Sequence, residues 1–189
     1  MAYLKEKYQK EVAPEMMKKF GYKSIMAVPR MRKAVLNTGF GRLIVNSKTS
    51  DEQKKIYTSI MDDLSAICGQ RPVLTLAKKS ISTFKTRQGM PLGAKVTLRG
   101  KKMYDFLEKL INIALPRSRD FRGLEISSVD NNGNLSVGIK EHIIFSEVSP
   151  EKTRAIFGFE VCVATDAKSK ERGLELFRLL GFPIKQKTE

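Results

Sequence analysis

Ala94-Lys95-Val96-Thr97-Leu98-Arg99 is the stretch on which the fold turns. Ala94, Val96 and Leu98 fall on one side of an extended chain and Lys95, Thr97 and Arg99 on the other, because side chains alternate with a period of two. Such a strand is half-buried, with one apolar face in a core and one polar, basic face in water. From Lys101 the period lengthens to that of a helix, with Met103, Phe106, Leu107, Leu110, Ile111 and Ala114 on one stripe. Pro116 is predicted to end that helix, since proline lacks the donor an interior turn needs. Upstream, Pro72 to Leu76 reads as a short strand, and residues 77–93 form the loop or ribbon that joins it to Ala94.

Moving further outward, Leu4, Tyr8, Val12, Met16 and Phe20 recur every four residues. They predict a helix over Tyr3 to Phe20, kinked or restarted at Pro14 and closed by Gly21. Arg30 to Asn37 alternates as a strand, with Met31, Val35 and Asn37 on one side and Ala34 and Leu36 on the other. Thr38-Gly39-Phe40-Gly41 is read as the turn that ends it. Ile56, Ile60, Met61, Leu64 and Ile67 predict a helix over Asp51 to Cys68, capped by Ser50 or Asp51 and stopped by Gly69. Leu124 to Ile126 and Leu135 to Val137 are candidate strands joined through Asp130-Asn131-Asn132-Gly133, a hairpin signal. Phe157 to Val163 is another strand, and a last helix runs from about Ser169 to Leu180 with Gly181 and Pro183 beyond it. Strands and helices interleave through hairpin-like connections. The expected class is α+β: one domain over residues 1–189, a largely antiparallel sheet with helices packed on one face and an open concave face left for a partner.

Charge says what that partner is. The chain carries a net charge of +15. Between Leu64 and Tyr104 there are nine Lys or Arg and no carboxylate, whereas ordinary surfaces mix both signs. A one-signed field of this size suits a polyanion, and Lys95, Thr97, Arg99 and Asn37 on an open face suit RNA phosphates and riboses. No stretch approaches the length of a membrane span, and the first residues show no secretory signal core, so neither membrane nor export is expected. Cys68 and Cys162 lie ninety-four positions apart among apolar neighbours and are read as two buried thiols of a reducing compartment.

Catalytic chemistry finds little footing. His142 is the only histidine, there is no paired-cysteine motif, and no phosphate-binding GKS or GKT sequence occurs. Gly39-Phe40-Gly41 follows a strand, yet Ile44 stands where a dinucleotide loop needs its third glycine. Asp62 and Asp63 are adjacent on a helix, so they diverge by about 100° rather than converge on one substrate. No catalytic residue, metal or cofactor is expected, and His142 is read as structural. In the basic segment, Lys78, Lys79, Ser80, Lys85, Arg87 and Gln88 combine phosphate-binding cations with hydroxyl and amide groups. Phe84 among them is either a base-stacking residue or an anchor holding the loop to the domain. Arg117, Arg119 and Arg122 around Asp120 are either a self-paired loop or a second contact.

Several of these stretches occur together in one known family. Val28-Pro29-Arg30, Leu36 to Gly41, Gly69 to Pro72, Ala77 to Ser80, Phe84 to Gly89, Lys95 to Gly100, Pro116 to Gly123 and Ile143-Ile144-Phe145, in that order, resemble the bacterial or organellar branch of large-subunit ribosomal protein family five. The resemblance covers nearly the whole chain. It implies a cytoplasmic, non-enzymatic component of the large ribosomal subunit that binds 5S rRNA in the central protuberance and touches large-subunit rRNA and neighbouring ribosomal proteins. It further implies a 5S-binding face of Asn37, Gln70, Arg71, Thr97 and Arg99, with Lys33 and Lys95. By the same resemblance the loop of Lys78, Lys79, Ser80, Lys85, Arg87 and Gln88 approaches peptidyl-site tRNA. An intersubunit bridge to a small-subunit head protein falls on Arg117, Arg119, Arg122, Asn131 and Asn132. One departure is a longer spacing around Leu43 to Lys54, where Lys48, Lys54 and Lys55 could add an rRNA contact. The competing readings are an RNA-processing or RNA-modifying enzyme that uses the same basic face, and a basic membrane-surface or chaperone-like protein with little RNA selectivity.

Overall fold

The computed structural model describes residues 3–185 except 48, 120, 150, 152 and 154. Its elements in chain order are α1 (Tyr3–Lys7), a π turn (Tyr8–Val12), α2 (Ala13–Phe20), β1 (Met31–Gly39), α3 (Gly41–Asn46), α4 (Ser50–Cys68), β2 (Val73–Leu76), β3 (Pro91–Leu98) and α5 (Gly100–Lys109). A second π turn (Leu110–Ala114), α6 (Leu115–Arg117), β4 (Leu135–Ile139), β5 (Phe159–Thr165) and α7 (Lys170–Leu180) complete the order. The five strands form one antiparallel sheet in the order β2-β3-β1-β5-β4, so the α+β class holds. Burial alternates along the strands. Ala34, Leu36 and Thr38 of β1, Ala94, Val96 and Leu98 of β3, Leu135, Val137 and Ile139 of β4, and Phe159, Val161 and Val163 of β5 are buried. Their neighbours Lys33, Asn37, Lys95, Ser136 and Glu160 are exposed.

The chain divides into two compact units. The first comprises Met1–Ala34, Leu98–Val137 and Cys162–Glu189, the second Val35–Thr97 and Gly138–Val161, and the divisions fall inside β1, β3, β4 and β5. In the first unit α1 packs on α5, and α7 packs on the first π turn. Leu4, Val12, Met16, Met103, Phe106, Leu107, Leu110, Leu176, Phe177 and Leu180 fill its core. In the second unit α3 packs on α4, and Phe40, Ile44, Ile60, Leu64, Ile67, Phe145 and Phe157 are buried.

Pro14, where the first helix was expected to kink or restart, and Pro116, expected to mark a helix end, are carried by the same device. Pro14 and Pro116 each stand two residues after a π turn. The residue before each proline closes that turn over five residues, Ala13 N–H to Tyr8 O and Leu115 N–H to Leu110 O. A widened turn makes room for a ring that would otherwise strike the carbonyl four residues back. The first helical run therefore continues to Phe20, where Gly21 at φ 68° ends it, and the other continues one residue past Pro116.

Three expectations are corrected. Residues 41–46 form α3, because the strand ends at Gly39 and Ile44 is drawn fully into the core. Helix α4 begins at Ser50 after an extended Thr49 that gives no side-chain cap, so neither Ser50 nor Asp51 is the capping residue. Leu124 to Ile126 is not a hairpin strand. Leu124 makes a parallel bridge to Ile184, residues 126–128 form a 3-10 turn, and only Val129 and Leu135 pair across the Asp130 turn.

Candidate nucleic-acid interface

Within the second unit the structure gathers five of the seven expected 5S-face residues. Strand β2 pairs antiparallel with β3, setting Val73 opposite Lys95 and Thr75 opposite Gly93. Gly69, left-handed at φ 63°, ends α4 and turns the chain toward β2. Gln70 then donates its amide to the Thr97 carbonyl at 3.4 Å, which seats Gln70 and Arg71 beside the outward residues of β3. Gly93 leaves no room for a side chain. A Cβ there would stand 2.5 Å from the Thr38 carbonyl and 2.7 Å from Thr75 Oγ1. Thr38 is buried, with its hydroxyl donating to Gly158 O at 2.7 Å, and this leaves Asn37 on the exposed side of β1. Arg71 and Lys95 are exposed and, among the described residues, have no carboxylate at ion-pair distance. Lys33 and Arg99 belong to the first unit and are also exposed.

The 77–90 segment is an ordered ribbon. Ala77 N–H reaches Met90 O at 2.8 Å, Gly89 N–H reaches Ala77 O at 3.0 Å, and Gln88 N–H reaches Ser80 Oγ at 2.9 Å. Ile81 and Thr86 pair in both directions, at 3.1 and 3.2 Å. Lys85 N–H bonds Ser82 O at 2.9 Å, and Lys85 itself sits at φ 51°, closing a tight turn with Thr83 and Phe84 at its tip. Lys78, Lys79, Ser80, Lys85, Arg87 and Gln88 are all exposed on this ribbon, as are Ser82 and Thr83, and Thr86 beside them is half-buried. Phe84 is 66% exposed, so the anchor reading fails.

The candidate bridge residues lie in the first unit. Asn131 and Asn132 stand exposed on a turn organised by Asp130, whose carboxylate accepts Asn132 N–H at 2.9 Å, Asn134 N–H at 2.7 Å and the Asn134 amide at 2.8 Å. Desolvation pushes the Asp130 pKa up, but the hydrogen bonds from Asn134, Asn132 and Gly133 together outweigh it and hold the group below its usual value. Arg117 is exposed, while Asp120 lies outside the described residues, as does Lys48.

Three features escaped the sequence. Arg30 and Arg32 are clasped by Asp166, which takes Arg30 N–H at 2.6 Å and Arg32 Nε at 2.7 Å, so Arg32 is a structural cation. His142, fully buried, stacks on Phe157 with centroids 4.0 Å apart and lies 3.4 Å from the Asp63 carboxylate. Burial lowers the His142 pKa and raises that of Asp63, opposing their mutual attraction; the histidine is structural, and Asp63 is its partner. Cys162 is a free thiol but only half-buried, 3.4 Å from Ser136 Oγ. No residue spacing announces these contacts, since their partners lie far away in the chain.

Comparison with known proteins supplies the family. Residues 24–87 match the family described as Ribosomal protein L5, and residues 91–184 match the model of that ribosomal family's C-terminus. The chain belongs to the ribosomal protein L5 family. Among its relatives is the "Large ribosomal subunit protein uL5" of Desulforapulum autotrophicum, 52% identical over 98% of this chain and 99% of that protein. Those of Symbiobacterium thermophilum (49%, over 99% and 100%) and Halothermothrix orenii (47%, over 98% and 100%) carry the same name. As an L5-family member the chain is a ribosomal protein and not an enzyme, which sets aside the RNA-processing alternative. The two L5 matches include every expected site residue from Lys33 to Asn132 except Gln88, which falls between them. Among the described residues no helix is long and apolar enough to cross a membrane.

Proposed function

We propose that this chain is a structural constituent of the large ribosomal subunit, working in the cytoplasm, that binds 5S rRNA and anchors it in the central protuberance. The observation that carries this reading is family membership along the whole chain, with relatives named as large-subunit proteins. Asn37, Gln70, Arg71, Lys95 and Thr97, with Lys33 and Arg99, supply the 5S contacts: the cations take phosphates, and the amides and hydroxyl read the shape of the RNA. In this reading the whole chain acts as one RNA-binding domain that also meets large-subunit rRNA. The ribbon of Lys78, Lys79, Ser80, Lys85, Arg87 and Gln88 approaches peptidyl-site tRNA. Arg117, Arg119, Arg122, Asn131 and Asn132 meet a small-subunit head protein as an intersubunit bridge.

The division of labour between face and ribbon is testable. A variant with Lys78, Lys79, Lys85 and Arg87 all changed to glutamine should bind 5S rRNA within about twofold of the parent at moderate salt, because the ribbon is not part of the 5S face. The same variant in assembled ribosomes should hold peptidyl-site tRNA more weakly, with a smaller salt dependence. A large loss of 5S rRNA binding in the isolated protein would refute this division.

A further inference from the structure

Nine large hydrophobic side chains are exposed among the described residues, and four of them, Val73, Leu76, Ile81 and Phe84, fall within twelve residues of one another. Apolar residues scattered singly over a surface need no explanation, but these cluster in and beside the most one-signed segment of the chain. Residues 77–90 hold four cations and no carboxylate. Lys78, Lys79, Lys85 and Arg87 have no ion-pair partner among the described residues. Phe84 is the only aromatic of the segment, and its ring touches no other ring among the described residues.

Its presentation is rigid. The Ile81–Thr86 pair and the Ser82–Lys85 bond close the tip, and the Ala77–Met90 and Ser80–Gln88 bonds brace the stem. A backbone held this way has little freedom left to lose when the ring meets a flat partner, which favours binding by preorganisation. An exposed aromatic flanked by unpaired cations matches the chemistry of a nucleobase with its adjoining phosphates: the ring stacks on the base, and the cations take the backbone.

We propose that Phe84 is a stacking platform for an unpaired, outward-turned nucleobase of the RNA that the ribbon meets, with Lys85 and Arg87 holding the phosphates beside that base. This deepens the tRNA-contact reading of the ribbon and rests on it. Stacking tolerates any base, so the ribbon recognises an exposed base face rather than a sequence.

The test uses ribosomes in which the variant chain is the sole copy, loaded with deacylated tRNA in the peptidyl site. Phe84→Leu keeps the apolar bulk but removes the aromatic face, and tRNA should dissociate about tenfold faster, the effect of losing one base–aromatic stack. Phe84→Trp should retain tRNA as the parent does. Chemical probing should show one unpaired tRNA base protected in the parent and in Phe84→Trp, and exposed in Phe84→Leu. Lys85→Gln with Arg87→Gln should speed dissociation while leaving that base protected. If the cation changes act but Phe84→Leu behaves as the parent, the stacking proposal is overturned and the tRNA reading stands. If neither set of changes alters tRNA retention, the tRNA reading itself fails, and the proposal with it.

Discussion

Replacing Gly173 with alanine is expected to destabilise the protein by about 3 kcal/mol, the upper range for forcing an extra methyl into a packed site. The sign runs against helix propensity, since glycine to alanine inside a helix ordinarily stabilises by up to about 1 kcal/mol. Gly173 lies in the interior of α7, and a Cβ there would stand 2.7 Å from the Gly133 carbonyl oxygen and 2.9 Å from its carbonyl carbon. These are backbone atoms that cannot swing aside. Gly133 is itself held, at φ 83°, by the Asp130 turn, and Thr165 Oγ1 donates to its carbonyl at 2.7 Å. Alanine at Gly173 must therefore push α7 off the turn or distort the turn that displays Asn131 and Asn132. Gly138→Ala is the matched control, because nothing lies within 4 Å of a Cβ at that exposed position. Urea unfolding of the two variants reads the difference. A Gly173→Ala protein as stable as the parent would mean that the helix and the turn are not in glycine-to-glycine contact.

The second large effect concerns the exposed side of β3. Arg71→Ala combined with Lys95→Ala should weaken binding to every RNA and flatten the dependence of log affinity on log salt by about 0.7 to 0.9 per lost phosphate contact. Neither cation is neutralised by a described carboxylate, so their charge is available to the RNA. Asn37→Ala should act differently. An amide adds no net charge, so the salt slope should stay fixed while the preference for 5S rRNA over other RNAs falls about tenfold, the value of one or two well-placed hydrogen bonds. Gln70→Ala should lose selectivity as well, and it also removes the tie to the Thr97 carbonyl, so its folded state must be checked beside its binding. A double cation variant with an unchanged salt slope would put the RNA on some other surface.

What could be read in advance followed the range of the interactions involved. Lys95, Thr97 and Arg99 on one side and Ala94, Val96 and Leu98 on the other came directly from period-two alternation, which burial enforces residue by residue. The stripe Ile60, Leu64 and Ile67 was equally plain, because a helix repeats its pattern within its own length. Pro14 and Pro116 marked a helix restart and a helix end, but a lone proline carries no mark of the π turn that accommodates it. Leu124 looked like a hairpin strand only because its real partner, Ile184, lies sixty residues on. The Arg30–Asp166 and His142–Asp63 contacts join residues 136 and 79 positions apart, and nothing local encodes them. Phe84 left two readings open until its exposure removed one.

The most direct measurement is a salt-titrated binding curve of the intact chain with 5S rRNA, with tRNA and with an unrelated RNA of matched size. The account predicts a strong preference for 5S rRNA that persists near physiological salt, where the purely electrostatic contribution has weakened. Equal affinity for all three RNAs, collapsing together as salt rises, would contradict it and reduce the basic face to an unselective patch.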